Sequence, residues 1–346
     1  MVLGAALGLL ARITLPHIIQ WQALLCRGAS ASTEASTTKD SSLSARGAPL
    51  VGGHGPPGYI WEHIMNLGAM YCPKERPGGY ICLAISENAL AFPLFRDVLS
   101  GARPNDTRST GYDNPRGGIR FRKAVADFLT EHVARRPVHM DAIASTSGAT
   151  AVLHNLLYAI ADEGDVCLIP SPYFTGFDSD LSDPRVGLIP FAVPCPSLTK
   201  IDLGISVEVL EEAFKAASKG GRKVKVLLLT SPHNPTGAFY SEEALRCAVT
   251  WAQGRDMQVV ADEVYSNTLL EGAEENGFKS MLQLYSPLPA HVHVCWGFAK
   301  ILGVAGWRVG LLISESNAPV MDAFCSLLHP LEASTDTLHR SYTLRE

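Results

Sequence analysis

The stretch Trp296-Gly297-Phe298-Ala299-Lys300-Ile301-Leu302-Gly303-Val304-Ala305-Gly306-Trp307-Arg308-Val309-Gly310 decides the reading of this chain. An apolar, strand-like run over 291–296 leads into it, and another over 309–313 leads out. Between them one lysine stands among small and apolar residues, with one arginine eight residues further on. Apolar neighbours desolvate a lysine, disfavour its charged form and free the amine to act as a nucleophile. Taken alone, such a residue reads more simply as a solvated loop lysine. Four stretches upstream change that balance.

Each of the four follows a strand. Residues 257–261 are strand-like and end at Asp262-Glu263-Val264-Tyr265. Residues 224–230 form a near-continuous apolar run, as in a strand covered on both faces, and end at Ser231-Pro232-His233-Asn234-Pro235-Thr236-Gly237. Residues 166–169 read as a buried strand ending at Pro170-Ser171-Pro172-Tyr173. Residues 143–146 are a short strand, after which Ser147-Gly148-Ala149-Thr150 opens a helix reaching to about 161. Small residues at a helix start let a phosphate approach free backbone N–H groups, and the helix dipole favours the anion. Ordinary capping by Ser147 or Thr150 is the simpler alternative there.

These motifs together resemble those of fold-type I, pyridoxal-phosphate-dependent aminotransferases of class I/II, and within them the 1-aminocyclopropane-1-carboxylate synthase-like branch. The resemblance runs from about residue 79 to about residue 313. It implies that Lys300 carries pyridoxal 5'-phosphate as a Schiff base and shuttles a proton at the substrate α-carbon. It implies that Asp262 faces the ring nitrogen and keeps it protonated, making the ring an electron sink. Asn234 and Tyr265 would meet the phenolic oxygen, and Tyr173 would stack on the ring, while Phe174 packs into the core. Gly148, Ala149, Thr150 and Arg308 would hold the phosphate, a task that suits a guanidinium. Gly111-Tyr112-Asp113-Asn114-Pro115-Arg116-Gly117 is similar to the family's dimer segment, in which Tyr112 would reach the neighbouring subunit's phosphate. A homodimer with shared sites is thus expected. The segment over 79–88 ends in Glu87-Asn88, and the resemblance puts Glu87 on the substrate side. Its alternative is a helix start, with Ser86 or Asn88 capping residues 89–99.

Two positions depart from the family pattern. Gly297 stands where a hydroxyl residue usually contacts the phosphate, and Ala299 where a serine commonly precedes the lysine. Losing such hydrogen bonds to a charged group costs about 1.5–3 kcal/mol each. Transamination of an amino acid is the default reaction. The alternatives are an elimination of the synthase type and a catalytically weak cofactor-binding homologue.

Composition bounds the rest. The chain has 346 residues, 47% hydrophobic and 18% charged, with a net charge of −5 and no basic block, which argues against nucleic acid as a partner. Its eight cysteines include no C-x-x-C pair, and Cys167 and Cys295 lie in apolar runs, as reduced buried thiols do. Residues 1–50, apolar and then rich in Ser, Thr and Ala, read as a targeting or disordered segment. The cytoplasm is expected, with organelle import through 1–50 the alternative. Gly53-His54-Gly55-Pro56-Pro57-Gly58 follows no strand and carries two prolines, so it is not a dinucleotide fingerprint. His291 and His293 alternate on a strand with no third ligand at suitable spacing, so no metal is expected.

The order of elements predicts an α/β three-layer sandwich around a mainly parallel seven-stranded sheet, spanning 51–330, with a polar tail over 331–346. Every candidate site residue then falls just after a strand, where such sheets bind ligands. The residues after Arg308 fall short of the roughly 50 that a compact domain needs. The family's C-terminal small domain is therefore expected to be incomplete. Arg340 and Arg345 sit in Ser/Thr-rich sequence that does not match the family's substrate-carboxylate arginine.

Overall fold

The computed structural model describes residues 43–44, 58–82, 85–88, 92–93, 95–96, 113–195, 203–268 and 278–328. The chain divides into two units, Met1–Gly55 and Pro56–Glu346, and everything below concerns the second. The Gly53–Pro57 part of the glycine-rich motif, Tyr112, and the arginines at 340 and 345 lie outside the described residues, as do most of 1–50 and all of 331–346.

Seven strands form one sheet: β1 Ile143–Thr146, β2 Val166–Ser171, β3 Ile189–Pro194, β4 Val224–Thr230, β5 Gln258–Asp262, β6 Val292–Gly297 and β7 Gly310–Ile313. Their spatial order is β1-β7-β6-β5-β4-β2-β3. The pairs from β3 through β2, β4 and β5 to β6 are parallel. The strand β7 is antiparallel to both β6 and β1. The sheet is thus mainly parallel, as expected, with one reversed strand inserted near an edge.

Alternation along the central strands assigns side chains to two layers. Leu227, Leu229, Val259, Ala261, Val292, Val294 and Trp296 face one core, and Val226, Leu228, Val260 and Cys295 face the other. Both sets are buried, which is why these strands read as continuous apolar runs. The first core is closed by helices α2 (Ile119–Leu129), α5 (Val207–Ala217) and α6 (Glu242–Gln253), through Phe121, Val125, Leu129, Leu210 and Leu245. The second is closed by α3 (Ala149–Ile160), α4 (Gly176–Ser182) and α9 (Ala318–Ser326), through Leu153, Leu156, Phe177, Leu181 and Phe324. Truncating one central leucine such as Leu228 to alanine removes about 2–5 kcal/mol of that packing. The remaining helices are α1 (Gly58–Asn66), α7 (Met281–Leu284) and α8 (Phe298–Ile301).

Helix starts follow local chemistry. Ser206 and Ser241 accept from the N–H groups of Val209 and Ala244 and begin α5 and α6. Asn317 caps α9 through the Val320 N–H at 3.1 Å, with Pro319 in the first turn. That cap starts α9 at Ala318, ahead of the apolar run beginning at 320. The strand β3 starts at Ile189, because Gly187 has φ of 67° and breaks the extension before it. Phe174 departs from expectation: it is 39% exposed and meets Phe177 edge-on at 5.4 Å, while Phe177 fills the core.

Candidate active site

The site is assembled at one end of the parallel strands, from the turns after β1, β2, β4, β5 and β6. The alignment of Asp262 with Cys295 brings the end of β5 beside the last turn of β6, from which α8 carries Lys300. Asp262 is 7% exposed, and its carboxylate accepts the Val264 N–H at 3.3 Å. Burial pushes its pKa from 3.8 up to about 6; Asp180 adds to the rise, and the Val264 N–H and Lys300 oppose it. No cation pairs with it among the described residues. A buried carboxylate so poorly partnered is suited to a ligand that brings its own N–H cation.

Lys300 is half-buried rather than enclosed. Its Nζ donates to the Ser86 carbonyl at 3.1 Å and lies 5.7 Å from the centre of the Tyr265 ring. The Tyr265 hydroxyl donates to Ser86 Oγ at 3.4 Å. Glu87 follows at once in the chain, exposed, and a Cβ on Gly303 would stand 2.9 Å from the Asn88 carbonyl oxygen. The segment over 85–88 thus lies against the lysine turn. The sequence offered Ser86 only as a helix cap; folding brings it to a lysine 214 residues away.

The turn after β1 and the return into β7 pack against each other. Gly148 has φ of 97°, conformational ground that favours glycine, and it caps α3 without a side-chain bond. Capping by Ser147 or Thr150 is therefore not what starts this helix. Arg308 also lies in the left-handed region, with φ of 54°, a position few non-glycine residues adopt. Its Nη1 donates to Ala305 O at 3.2 Å and its Nη2 to Ser147 O at 3.5 Å, which brings the guanidinium to the helix start. A Cβ on Gly310 would stand 2.3 Å from the Gly148 carbonyl carbon, so a second glycine lets the helix start press on β7. Gly297 has a steric reason as well: a Cβ there would be 2.8 Å from the Val309 carbonyl oxygen. The missing hydroxyl follows from the tight β6–β7 packing.

The loop over 231–238 holds Asn234 half-buried. The His233 N–H donates to Ala238 O at 2.7 Å, the Gly237 N–H to His233 O at 2.8 Å, and the Ser231 N–H to Asp262 O at 3.0 Å. Tyr173 is half-buried, and its hydroxyl donates to Asp178 at 2.7 Å. Beside Asp262, Glu263 is buried and accepts the Ser280 hydroxyl and the Met281 N–H, which starts α7; burial still pushes its pKa up to about 7. His293 is bound within the sheet to Ser314 and Gln258, at 3.0 and 3.1 Å. No metal-type cluster occurs among the described residues. Their cysteines are all free, with Cys167 and Cys295 buried and Cys247 exposed. None of the described helices is long and apolar enough to cross a membrane.

Residues 81–337 match the family model for aminotransferase class I and II, and the chain belongs to that family. Its cofactor is pyridoxal phosphate, which the donors assembled here fit. Among curated relatives, a 1-aminocyclopropane-1-carboxylate synthase from Glycine max is 30% identical over 262 residues, covering 72% of this chain and 54% of the relative. One from Nicotiana tabacum is 28% identical over 265 residues, covering 72% and 52%. The chain thus spans about half the length of these relatives. The same fold occurs in aspartate aminotransferase from Thermus thermophilus with maleate, with TM-score 0.66 and 23% identity over 87% of this chain and 72% of that one. It also occurs in aspartate aminotransferase from Thermotoga maritima, with TM-score 0.58 and 24% identity over 73% and 63%.

Proposed function

We propose that this chain is a pyridoxal-phosphate enzyme of amino-acid metabolism working at the α-carbon of an amino acid, with transamination as its default reaction. The observation that carries the reading is the buried, poorly partnered Asp262 at the end of β5, beside the β6 turn that presents Lys300. Bound there, the cofactor supplies an electron sink. Asp262 holds the proton on the ring nitrogen. The Lys300 amine would hold the cofactor through its aldehyde carbon and, as a free amine, would serve as the base that moves the α-carbon proton. Arg308 and the N–H groups of Ala149 and Thr150 bind the phosphate. Asn234 and Tyr265 orient the phenolic oxygen, Tyr173 faces the ring, and Glu87 borders the substrate. Tyr112 completes the partner's site in a homodimer.

A second reading, elimination from an amino acid bearing a leaving group at its γ-carbon, is favoured by the names of the curated relatives. Both readings share Lys300 as the base and differ in product. The test is to load the full chain with pyridoxal phosphate, follow its visible absorption, and add a panel of amino acids. Release of a keto acid supports transamination, and release of 1-aminocyclopropane-1-carboxylate supports the second reading. Protein that develops no visible band, or whose band no amino acid alters, overturns both.

A further inference from the structure

The contact between Tyr173 and Asp178 has no counterpart in the roles assigned so far. Tyr173 leaves the end of β2, and Asp178 lies in the first turn of α4. The phenol donates to the carboxylate at 2.7 Å, and the ring packs 6.5 Å from Phe177, which is anchored in the core. Asp178 is exposed and takes no part in the Asp180–His154 pair next to it, which closes at 3.6 Å. Its carboxylate has one hydrogen-bond partner among the described side chains, the phenol.

From this geometry we propose that Asp178 is a positioning residue for the cofactor, fixing the plane of the Tyr173 ring and enriching its face with electron density. The inference rests on the reading of Tyr173 as the ring that faces the cofactor. A side chain at a strand end has two free torsions, and a hydrogen bond at the far end of the ring removes much of that freedom. Charge-assisted donation is stronger and shorter than a neutral bond. It also shifts electron density from the hydroxyl into the ring, which deepens the negative face that attracts a cationic or electron-poor partner. A protonated pyridine ring is such a partner. Burial, with the Asp178 bond next, pushes the Tyr173 pKa up to about 12, so the phenol keeps its proton and remains a donor at neutral pH.

The test compares wild type, Asp178→Ala, Asp178→Asn, Tyr173→Phe and the double variant Asp178→Ala/Tyr173→Phe, all as full chains. Cofactor affinity is read from visible absorption on titration with pyridoxal phosphate. Asp178→Ala is expected to weaken binding by about three- to tenfold, the loss of one exposed charge-assisted bond. Asp178→Asn, which still accepts the phenol, should recover most of it. The double variant should bind no more weakly than Tyr173→Phe. In cofactor-free protein the ultraviolet titration of wild type minus Asp178→Ala should show one tyrosine ionising at lower pH in the variant, a change absent in the Tyr173→Phe background. The unfolding midpoint should stay put, since Asp178 is exposed. Additive losses in the double variant, or an unchanged Asp178→Ala affinity while Tyr173→Phe weakens it, overturn the proposal. If Tyr173→Phe leaves affinity unchanged, the hydroxyl bond has no part in binding and the proposal fails while the reading of the ring stands; if wild type takes up no cofactor, that reading fails and the proposal with it.

Discussion

Gly148 and Arg308 meet so closely that a Cβ on the glycine would stand 2.4 Å from Nη2 of the arginine. The helix start and the guanidinium are therefore one cradle. Both residues have positive φ, which glycine adopts freely and which strains the backbone at Arg308.

Replacing Gly148 by alanine should damage that cradle twice. With φ of 97° and ψ of 166° the site is essentially reserved for glycine, and holding a residue with a Cβ there costs about 1–3 kcal/mol. The new methyl also displaces Arg308 from Ser147. Affinity for pyridoxal phosphate should fall at least about tenfold, the equivalent of one lost charge-assisted bond. Equilibrium titration followed by visible absorption measures it, and an unchanged affinity rejects the cradle.

Lys300 should be the residue that borohydride fixes to the cofactor. Peptide mapping of reduced, cofactor-saturated protein is expected to place the label there, and Lys300→Ala to abolish it. Label on any other lysine would sink the assignment.

Asp262 should make the stability of the cofactor-free protein depend on pH in a defined direction. Its pKa rises on folding from 3.8 to about 6. The folded state therefore holds a proton that the unfolded state has released. The associated stability is present below about pH 4 and is lost as pH rises through about 6, to an extent of roughly 2–3 kcal/mol. Asp262→Asn cannot titrate. His293, lowered to about 4, titrates in both proteins and cancels in the comparison, whereas the Asp262 charge adds to the rise of Glu263 to about 7, so relieving it in Asp262→Asn moves the comparison in the same direction. Urea unfolding at a series of pH values should show wild type losing ground to Asp262→Asn across that window. A difference that stays flat rejects the buried-carboxylate account.

Gly297→Ser should fail to improve phosphate binding. The hydroxyl usual in the family would arrive on a Cβ 2.8 Å from the Val309 carbonyl oxygen, which is backbone and cannot turn aside. The expected result is a loss of about 1–3 kcal/mol from overpacking, with no gain in affinity. A stable variant that binds the cofactor more tightly would show that β6 and β7 are free to separate.

The proposed homodimer rests on the resemblance around Tyr112, and light scattering of the cofactor-loaded protein tests it. A monomer that binds the cofactor with full affinity would reject shared sites.

The sequence by itself determined the elements and their order. Apolar runs such as 224–230 and the motifs ending β2, β4 and β5 are local signals, because hydrogen bonding and side-chain alternation act within a few residues. It also placed Lys300, Asp262 and Asn234 just after strands. Phe174 misled because an aromatic beside a strand end carries no mark of which neighbour turns inward; Phe177 took the core position. Only the tertiary structure decided what depends on distant chain segments meeting. It inserted β7 between β1 and β6, brought Ser86 to Lys300, and joined Arg308 to Ser147 across 161 residues. It also required Gly297 to yield to the Val309 carbonyl. The raised pKa of Asp262 belongs to the same class, since desolvation is set by everything packed around the carboxylate, and a sequence motif names the acid without its surroundings.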